Sequence, residues 1–188
     1  MTDYELIECR TQSDFRQWLA RHGSSKAGVW LRLYKKASGI ESITYPQALD
    51  EALCHGWIDG QRKSYDEVSY VQKYTPRRVR SIWSKRNIEH VARLIEAGLM
   101  TDAGLKEVER AQRDGRWAAA YDSFVDMKVP ADFLVELHKN PKAEVFFNTL
   151  SKSNVYTIAW RLQTAKTDAT RRRRTEKLIA MLSDEKRP

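Results

Sequence analysis

The stretch that most constrains the fold runs from residue 54 to residue 87, where two alternating segments flank a short polar turn. Residues Trp57–Ser64 and residues 68–75 are predicted strands, because alternation bounded by turn residues is typical of a β-hairpin. The connection between them lies around Asp66. Pro76 ends the second strand, since proline has no N–H to donate to a hydrogen-bond ladder. This segment therefore predicts antiparallel sheet structure.

A further strand is predicted at Val29–Tyr34. Its residues Val29, Leu31 and Leu33 alternate with Trp30, Arg32 and Tyr34. Because successive side chains of a strand point to opposite faces, this pattern indicates one buried side. Together with the hairpin, this strand predicts a small three-stranded antiparallel sheet.

Helices are predicted where a capping residue precedes apolar residues at helical spacing. The predicted capping residues are Ser13, Thr44, Ser84 and Thr101. Thr44 and Gln47 have the spacing of a capping box. The buried stripe predicted for the helix after Ser84 is Ile88, Val91, Ala92 and Ile95. Residues 117–121 are also predicted to be helical.

The chain changes character after a predicted linker at residues 126–129. Beyond the linker, every segment has a helical pattern, with predicted helices at residues 130–139, 141–150, 154–166 and 168–182. Their apolar residues are enough for a small bundle. The sequence therefore predicts an α+β protein, with an N-terminal α+β domain at residues 1–125 and an all-helical C-terminal module at residues 126–188.

Charge and composition narrow the class of partner. The 188 residues include 33 Lys and Arg against 25 Asp and Glu, a formal net charge of +8 that favours an anionic partner. The sequence has no apolar run of the roughly 18–20 residues that a membrane helix needs, so membrane insertion is not expected. The N-terminal residues lack a signal-peptide pattern. Cys9 and Cys54 imply no disulfide framework, and a cytoplasmic location is expected.

Tryptophans and arginines concentrate around the predicted hairpin, and they define the candidate site. Arginine forks bind carboxylates and phosphates in a bidentate way, indole rings offer stacking faces, and a helix N-terminus near Ser84 attracts anions. Asp59 and Gln61 are predicted to orient the bound group. The predicted groove consists of Trp30, Trp57, Asp59, Gln61, Arg77, Arg78, Arg80, Trp83 and Lys85.

A purely structural role is the alternative for several of these residues. Trp57 is equally compatible with a core position, and Asp59 with an ion pair or a turn cap. The arginines from Arg77 onward also fit a solvated basic turn that bridges to the C-terminal module. Asp59 acts as a general base only if burial raises its pKa.

Other polar features favour structural interpretations. Cys54 and His55 are adjacent, and neighbours on a helix diverge by about 100°, so a nucleophile–base pair is not favoured. The four histidines lack the spacing of a metal site, and no cofactor is expected. The run from Arg171 to Arg174 covers a full helical turn and is predicted to be a solvated helix surface.

Several multi-residue motifs resemble the bacterial YdeI/OmpD-associated family, also labelled bacteriocin-protection proteins. The resemblance extends from about Phe15 to Leu182. Its motifs are residues 28–36, residues 51–61, residues 75–78 with Ser81, Trp83, Ser84, Lys85 and Asn87, and a C-terminal pattern from Ala165 to Lys177. The resemblance implies a helical C-terminal module and an association with bacteriocin tolerance or envelope stress.

The resulting functional prediction is a cofactor-free, cytoplasmic binding protein that holds an anionic small molecule or protein partner in the predicted groove. Two alternatives remain open. One is a nucleic-acid-binding module, whose affinity falls steeply with salt. The other is an enzyme acting on a small anionic substrate, with Asp59 as base and the arginines stabilising charge.

Overall fold

A computed structural model describes residues 4–188, in which a four-stranded sheet is followed mainly by helices. The strands are β1 Leu6–Glu8, β2 Val29–Tyr34, β3 Trp57–Ser64 and β4 Ser69–Pro76, in the order β1-β2-β4-β3. The helices are α1 Gln12–His22, α2 Tyr45–Cys54, α3 Lys85–Glu96, α4 Asp102–Arg113, α5 Ala131–His138, α6 Pro141–Phe147, α7 Lys152–Gln163 and α8 Asp168–Ser183. The predicted α+β class is confirmed.

The three predicted strands form, and β2 and β3 each pair antiparallel with β4. The structure adds β1, which pairs parallel to β2 and makes the sheet mixed. Sequence patterns missed β1 because it has only three residues, and its partner lies more than twenty residues away.

One side of the sheet carries the core of the N-terminal part. Val29 pairs with Tyr74 and Leu31 with Gln72, so these side chains share a side. Helices α1 and α2 contribute the apolar residues that complete this core, among them Phe15, Leu19, Ala48 and Ala52. The alternation of β2 is therefore explained by burial of every second residue against the helices.

A β-bulge interrupts β3 between Asp59 and Arg62. Asp59 pairs with Tyr74, whereas Arg62 pairs with Gln72, so β3 has one residue more than its partner across this interval. Gln72, which is buried, donates from Nε2 to the Gly60 carbonyl at 2.8 Å. This bond satisfies a buried amide and holds the bulge.

Side chains cap most helix N-termini as the sequence indicates. Ser84 and Thr101 accept bonds from backbone N–H groups of α3 and α4, and Thr44 forms its capping box with Gln47. In α1 the cap is Thr11 rather than the predicted Ser13. Asp14, at the third helical position, completes that box by accepting from the Thr11 backbone N–H.

Two helix predictions are wrong. Residues 117–121 begin in a turn, because Gly115 adopts a positive φ of 77° and ends α4. The chain then reverses, so that the Trp117 N–H donates to the Ala111 carbonyl at 3.0 Å. In α3 the residues that become buried are Val91 and Leu94. Of the predicted stripe, Ala92 and Ile95 are exposed.

The chain divides into two compact units, one ending at Ala119 and the other spanning Ala120–Pro188. The second unit contains α5–α8 and its own apolar core of Phe133, Leu137, Ala143, Ile158, Leu162, Leu178 and Leu182. The boundary between the two units lies six residues before the end of the predicted N-terminal domain. The helical second unit has its own hydrophobic core.

Membrane-spanning helices were sought among residues 4–188. None of the helices there combines the length and the apolar character that crossing a bilayer requires.

Candidate functional site

The side of the sheet opposite the core carries aromatic rings beside cations. Trp30 on β2 pairs with Lys73 on β4, so both side chains project to this side. Lys63 on β3 reaches the same side, and its Nζ lies 4.8 Å from the Trp30 ring centroid. Lys73 Nζ lies 4.3 Å from the ring of Tyr4. We call Tyr4, Trp30, Lys63 and Lys73 the basic aromatic face.

The cations of the basic aromatic face keep their charge available. Among residues 4–188, no salt bridge joins Lys63 or Lys73 to a carboxylate, and Lys63 is exposed. An ammonium group over a ring is attracted by the ring quadrupole. An ammonium group in this position still presents N–H donors to solvent. An anion can bind it without displacing a carboxylate.

A second cluster on the same side of the sheet is organised around Arg32. Its guanidinium lies 4.7 Å from the ring centroid of Tyr34 and 4.9 Å from that of Tyr65. Arg32 also forms ion pairs with Glu8 and Asp66. A hydrogen bond from the Ser69 hydroxyl lowers the pKa of Asp66, and the nearby Arg32 charge adds to the effect. Arg32 is thus neutralised, and its role here is to hold the rings of Tyr34 and Tyr65.

The predicted groove is not assembled as one surface, and its tryptophans explain why. Trp57 is 1% exposed, packs edge-on against Trp18, and donates from Nε1 to the Gly23 carbonyl. Trp83 is 2% exposed, with Arg77 over its ring at 3.5 Å and Trp117 at 4.9 Å. These indoles are covered by the protein itself, which corrects the prediction that they stack on a ligand.

Asp59 takes a structural role on the core side of the sheet. Its Oδ2 accepts a hydrogen bond of 2.9 Å from the Tyr45 hydroxyl. Tyr74, paired with Asp59 in the sheet, is fully buried, and burial raises the pKa of both phenols. Asp59 and Arg77, which the enzyme hypothesis needs together, therefore have different aromatic neighbours.

The remaining predicted site residues are distributed around the first unit. Arg77 is buried and donates to the Ile82 carbonyl at 3.4 Å, so its fork is packed. Arg78, Arg80 and Lys85 are exposed on the segment that enters α3, and Gln61 is exposed at the bulge. Of the nine predicted residues, only Trp30 belongs to the basic aromatic face.

The N-terminus of α3, predicted to attract an anion, already has a side-chain partner. The Ser84 hydroxyl accepts from the Asn87 N–H at 3.1 Å, which satisfies one of the free donors of the first turn. This cap leaves one fewer backbone N–H group to bind an anion at that position.

Neither cysteine has the character of a nucleophile. Burial raises the pKa of the Cys54 thiol to about 11 and that of the Cys9 thiol to about 11. His55 Nδ1 lies 3.0 Å from the Glu51 carbonyl. Within residues 4–188, no group of three or more His, Cys, Asp or Glu has an arrangement that would hold a metal ion.

Half of the arginine run in α8 binds within the C-terminal unit. Arg171 donates to both carboxylate oxygens of Asp132 at 2.7 Å and to the Leu162 carbonyl at 3.0 Å. Arg174 donates to the Arg161 carbonyl. Both carbonyls belong to the last turn of α7, and that of Leu162 also accepts a bond of 3.2 Å from the Ala165 N–H. Arg172 and Arg173 are exposed, so the predicted solvated surface accounts for only these two.

Sequence reasoning missed Tyr4, Lys63 and Lys73 as site residues. The signal for Lys73 was present, because a residue opposite Trp30 in an antiparallel pair must share its side of the sheet. The signal for Lys63 was hidden, because the bulge changes which residues of β3 project to each side.

Comparison with protein families identifies two segments. Residues 7–107 match the model of a domain of unknown function (DUF8412). Residues 126–185 match the model described as Bacteriocin-protection, YdeI or OmpD-Associated. No curated protein and no solved structure matches the chain. Since the first match covers more than half of the 188 residues, the chain belongs to the DUF8412 family, and its residues 126–185 match the family that the sequence resemblance predicted.

Proposed function

We propose that this protein is a binding protein that holds an anionic ligand with a planar ring on the basic aromatic face. The observation that carries the proposal is the position of Lys63 and Lys73 beside the rings of Trp30 and Tyr4, without carboxylate partners among the described residues. Stacking on Trp30 and charge pairing with the two ammonium groups act on different parts of one ligand.

This proposal keeps the predicted ligand class and moves its site. The anionic group is held by lysines of β3 and β4 instead of by the arginines near Trp83. A cytoplasmic location and a part in bacteriocin or envelope-stress protection stay predictions.

Ligand-induced thermal stabilisation tests the proposal, with three probes that separate ring from charge. Adenosine monophosphate has both parts, adenosine has only the ring, and inorganic phosphate has only the charge. At ten times Kd, we expect adenosine monophosphate to raise Tm by about 3–6 °C, from mass action and the usual dependence of Tm on stability. The other two probes should raise Tm less.

Two double variants that each remove two positive charges locate the binding site. Lys63→Ala with Lys73→Ala should abolish the rise in Tm. Arg78→Ala with Arg80→Ala, on the exposed segment before α3, should preserve it. The opposite pattern would move the site to the originally predicted groove, and equal shifts with phosphate and adenosine monophosphate would remove the role of the ring.

A further inference from the structure

We infer that the ligand is a single-stranded nucleic acid, which binds across the basic aromatic face and the second cluster around Arg32. Its binding tolerates different base sequences. This inference rests on the proposed function, because it assigns a polymer to the anionic, ring-containing ligand proposed above.

The rings of the two clusters are spaced too widely for a single base. Trp30 and Tyr34 lie on the same side of β2, four residues apart. At about 3.3 Å per residue, their backbone positions are about 13 Å apart. Tyr65, which is 52% exposed, extends the second cluster. One base cannot contact rings this far apart, whereas successive bases of one strand can.

The available positive charge of this surface lies at one end. Lys63 and Lys73 lie at the Trp30 end, where they can pair with phosphates of the polymer backbone. At the Tyr34 end, Arg32 is neutralised by Glu8 and Asp66. The surface therefore anchors charge at one end and offers mainly stacking at the other. The net charge of +8 adds a favourable long-range term for any polyanion.

The accessible ring faces of this surface distinguish single strands from duplexes. Bases in a duplex are stacked on each other, so their ring faces are not accessible to Trp30 or Tyr65. Unpaired bases stack on aromatic side chains, each contact contributing about 1–3 kcal/mol, with little dependence on base identity. A surface made of rings and ammonium groups thus selects unpaired strands.

The test measures binding to the full chain by fluorescence anisotropy. The labelled ligands are oligothymidylates and oligouridylates of one, four and eight nucleotides, and an eight-base-pair duplex. We expect the octamer of DNA or RNA to bind at least about tenfold more tightly than the mononucleotide, as one further stacking contact predicts. The duplex should bind more weakly than the octamer.

Variants assign the two ends of the surface. Tyr65→Ala changes an exposed ring and should weaken octamer binding several-fold while leaving mononucleotide binding unchanged. Lys63→Ala with Lys73→Ala should weaken both ligands, and should reduce the slope of log K against log salt by about 1.4, at about 0.7 for each phosphate contact of a single strand. Arg78→Ala with Arg80→Ala is the control of equal charge.

The outcomes separate this inference from the proposed function. Mononucleotide binding without any gain for the octamer overturns the polymer and leaves the proposed function in place. A duplex that binds as tightly as the single strand also overturns the inference, because it shows attraction to polyanions without stacking. If no nucleotide binds at all, both fail together.

Discussion

At the scale of single residues, the neighbours of an arginine decide whether it is available for a ligand. Arg171 is fixed by Asp132 and a helix carbonyl, and Arg77 is packed on Trp83. Arg172, one position along the same helix, is exposed. The sequence shows four consecutive arginines as equivalent, but a helix turns by about 100° per residue, so their environments differ.

Replacing Arg171 by alanine should destabilise the protein by about 1–2 kcal/mol, because bonds to a charged group are lost, although the pair is partly exposed. Arg172→Ala should change stability by less than about 0.5 kcal/mol. Urea unfolding at pH 7 followed by circular dichroism measures both. Equal losses in the two variants would contradict the assigned contacts.

The same pair predicts the pH dependence of that loss. Hydrogen bonds from Arg171 lower the pKa of Asp132 below its ordinary value of 3.8. A lowered carboxyl pKa contributes stability above the unfolded pKa, and that stability disappears as pH falls through the folded pKa. The difference between the natural protein and Arg171→Ala should therefore shrink below pH 3.8. The remaining difference reflects the bond to the Leu162 carbonyl.

At the scale of elements, Gly104 shows how closely α4 approaches the end of α2, and Gly60 in β3 provides a contrast. A Cβ added at Gly104 would lie 2.3 Å from the Cys54 carbonyl oxygen, which is backbone and cannot move aside. The Thr101 hydroxyl also donates to that oxygen at 2.7 Å. A Cβ at Gly60 would have only ordinary contacts, the nearest at 3.7 Å to Lys73.

Gly104→Ala should destabilise the protein, because overpacking costs about 1–3 kcal/mol and exceeds the roughly 1 kcal/mol that alanine gains in helix propensity. Gly60→Ala is the matched control and should remain within about 0.5 kcal/mol of the natural protein. Thermal unfolding measures both variants. Unchanged stability in Gly104→Ala would show that the helices separate without cost.

Elements were more predictable than the site they build. Alternation located β2, β3 and β4, and capping residues located most helix starts, because these signals are local. The side of the sheet reached by Lys63 was not predictable, since it depends on a bulge that forms only when β3 pairs with β4. The burial of Trp57 and Trp83 was equally hidden, because it depends on the aromatic rings of Trp18 and Trp117, which lie far from them in sequence.

At the scale of the whole molecule, the two units have separate apolar cores. The fragment 120–188 should therefore fold alone, with a helical circular dichroism spectrum and a cooperative thermal transition. Its stability should be no more than about 3–5 kcal/mol, because a single core of this size supplies little more. A gradual, non-cooperative loss of helix in this fragment would show that its core is insufficient.

Two substitutions in the fragment test whether that core is responsible. Leu162 is fully buried, and Leu162→Ala should cost about 2–5 kcal/mol, enough to remove the cooperative transition. Val145 is 69% exposed, and Val145→Ala should leave the transition in place. This contrast assigns the stability of the helical module to its interior.

By offsetting the alternation of the strand, the extra residue in β3 determines which side of the sheet each later side chain of that strand faces. With it, Lys63 lies opposite Val71, and Arg62 lies opposite Gln72 with its guanidinium 3.8 Å from the Tyr70 ring. Excising one of the two residues between Asp59 and Arg62 would remove the bulge but leave Arg62 opposite Gln72 and Lys63 opposite Val71, so each cation would keep its side of the sheet. A deletion of one codon at this point would therefore change the local twist of the strand without exchanging its charges, whereas a deletion later in β3 would shift the residues that follow it to the opposite side.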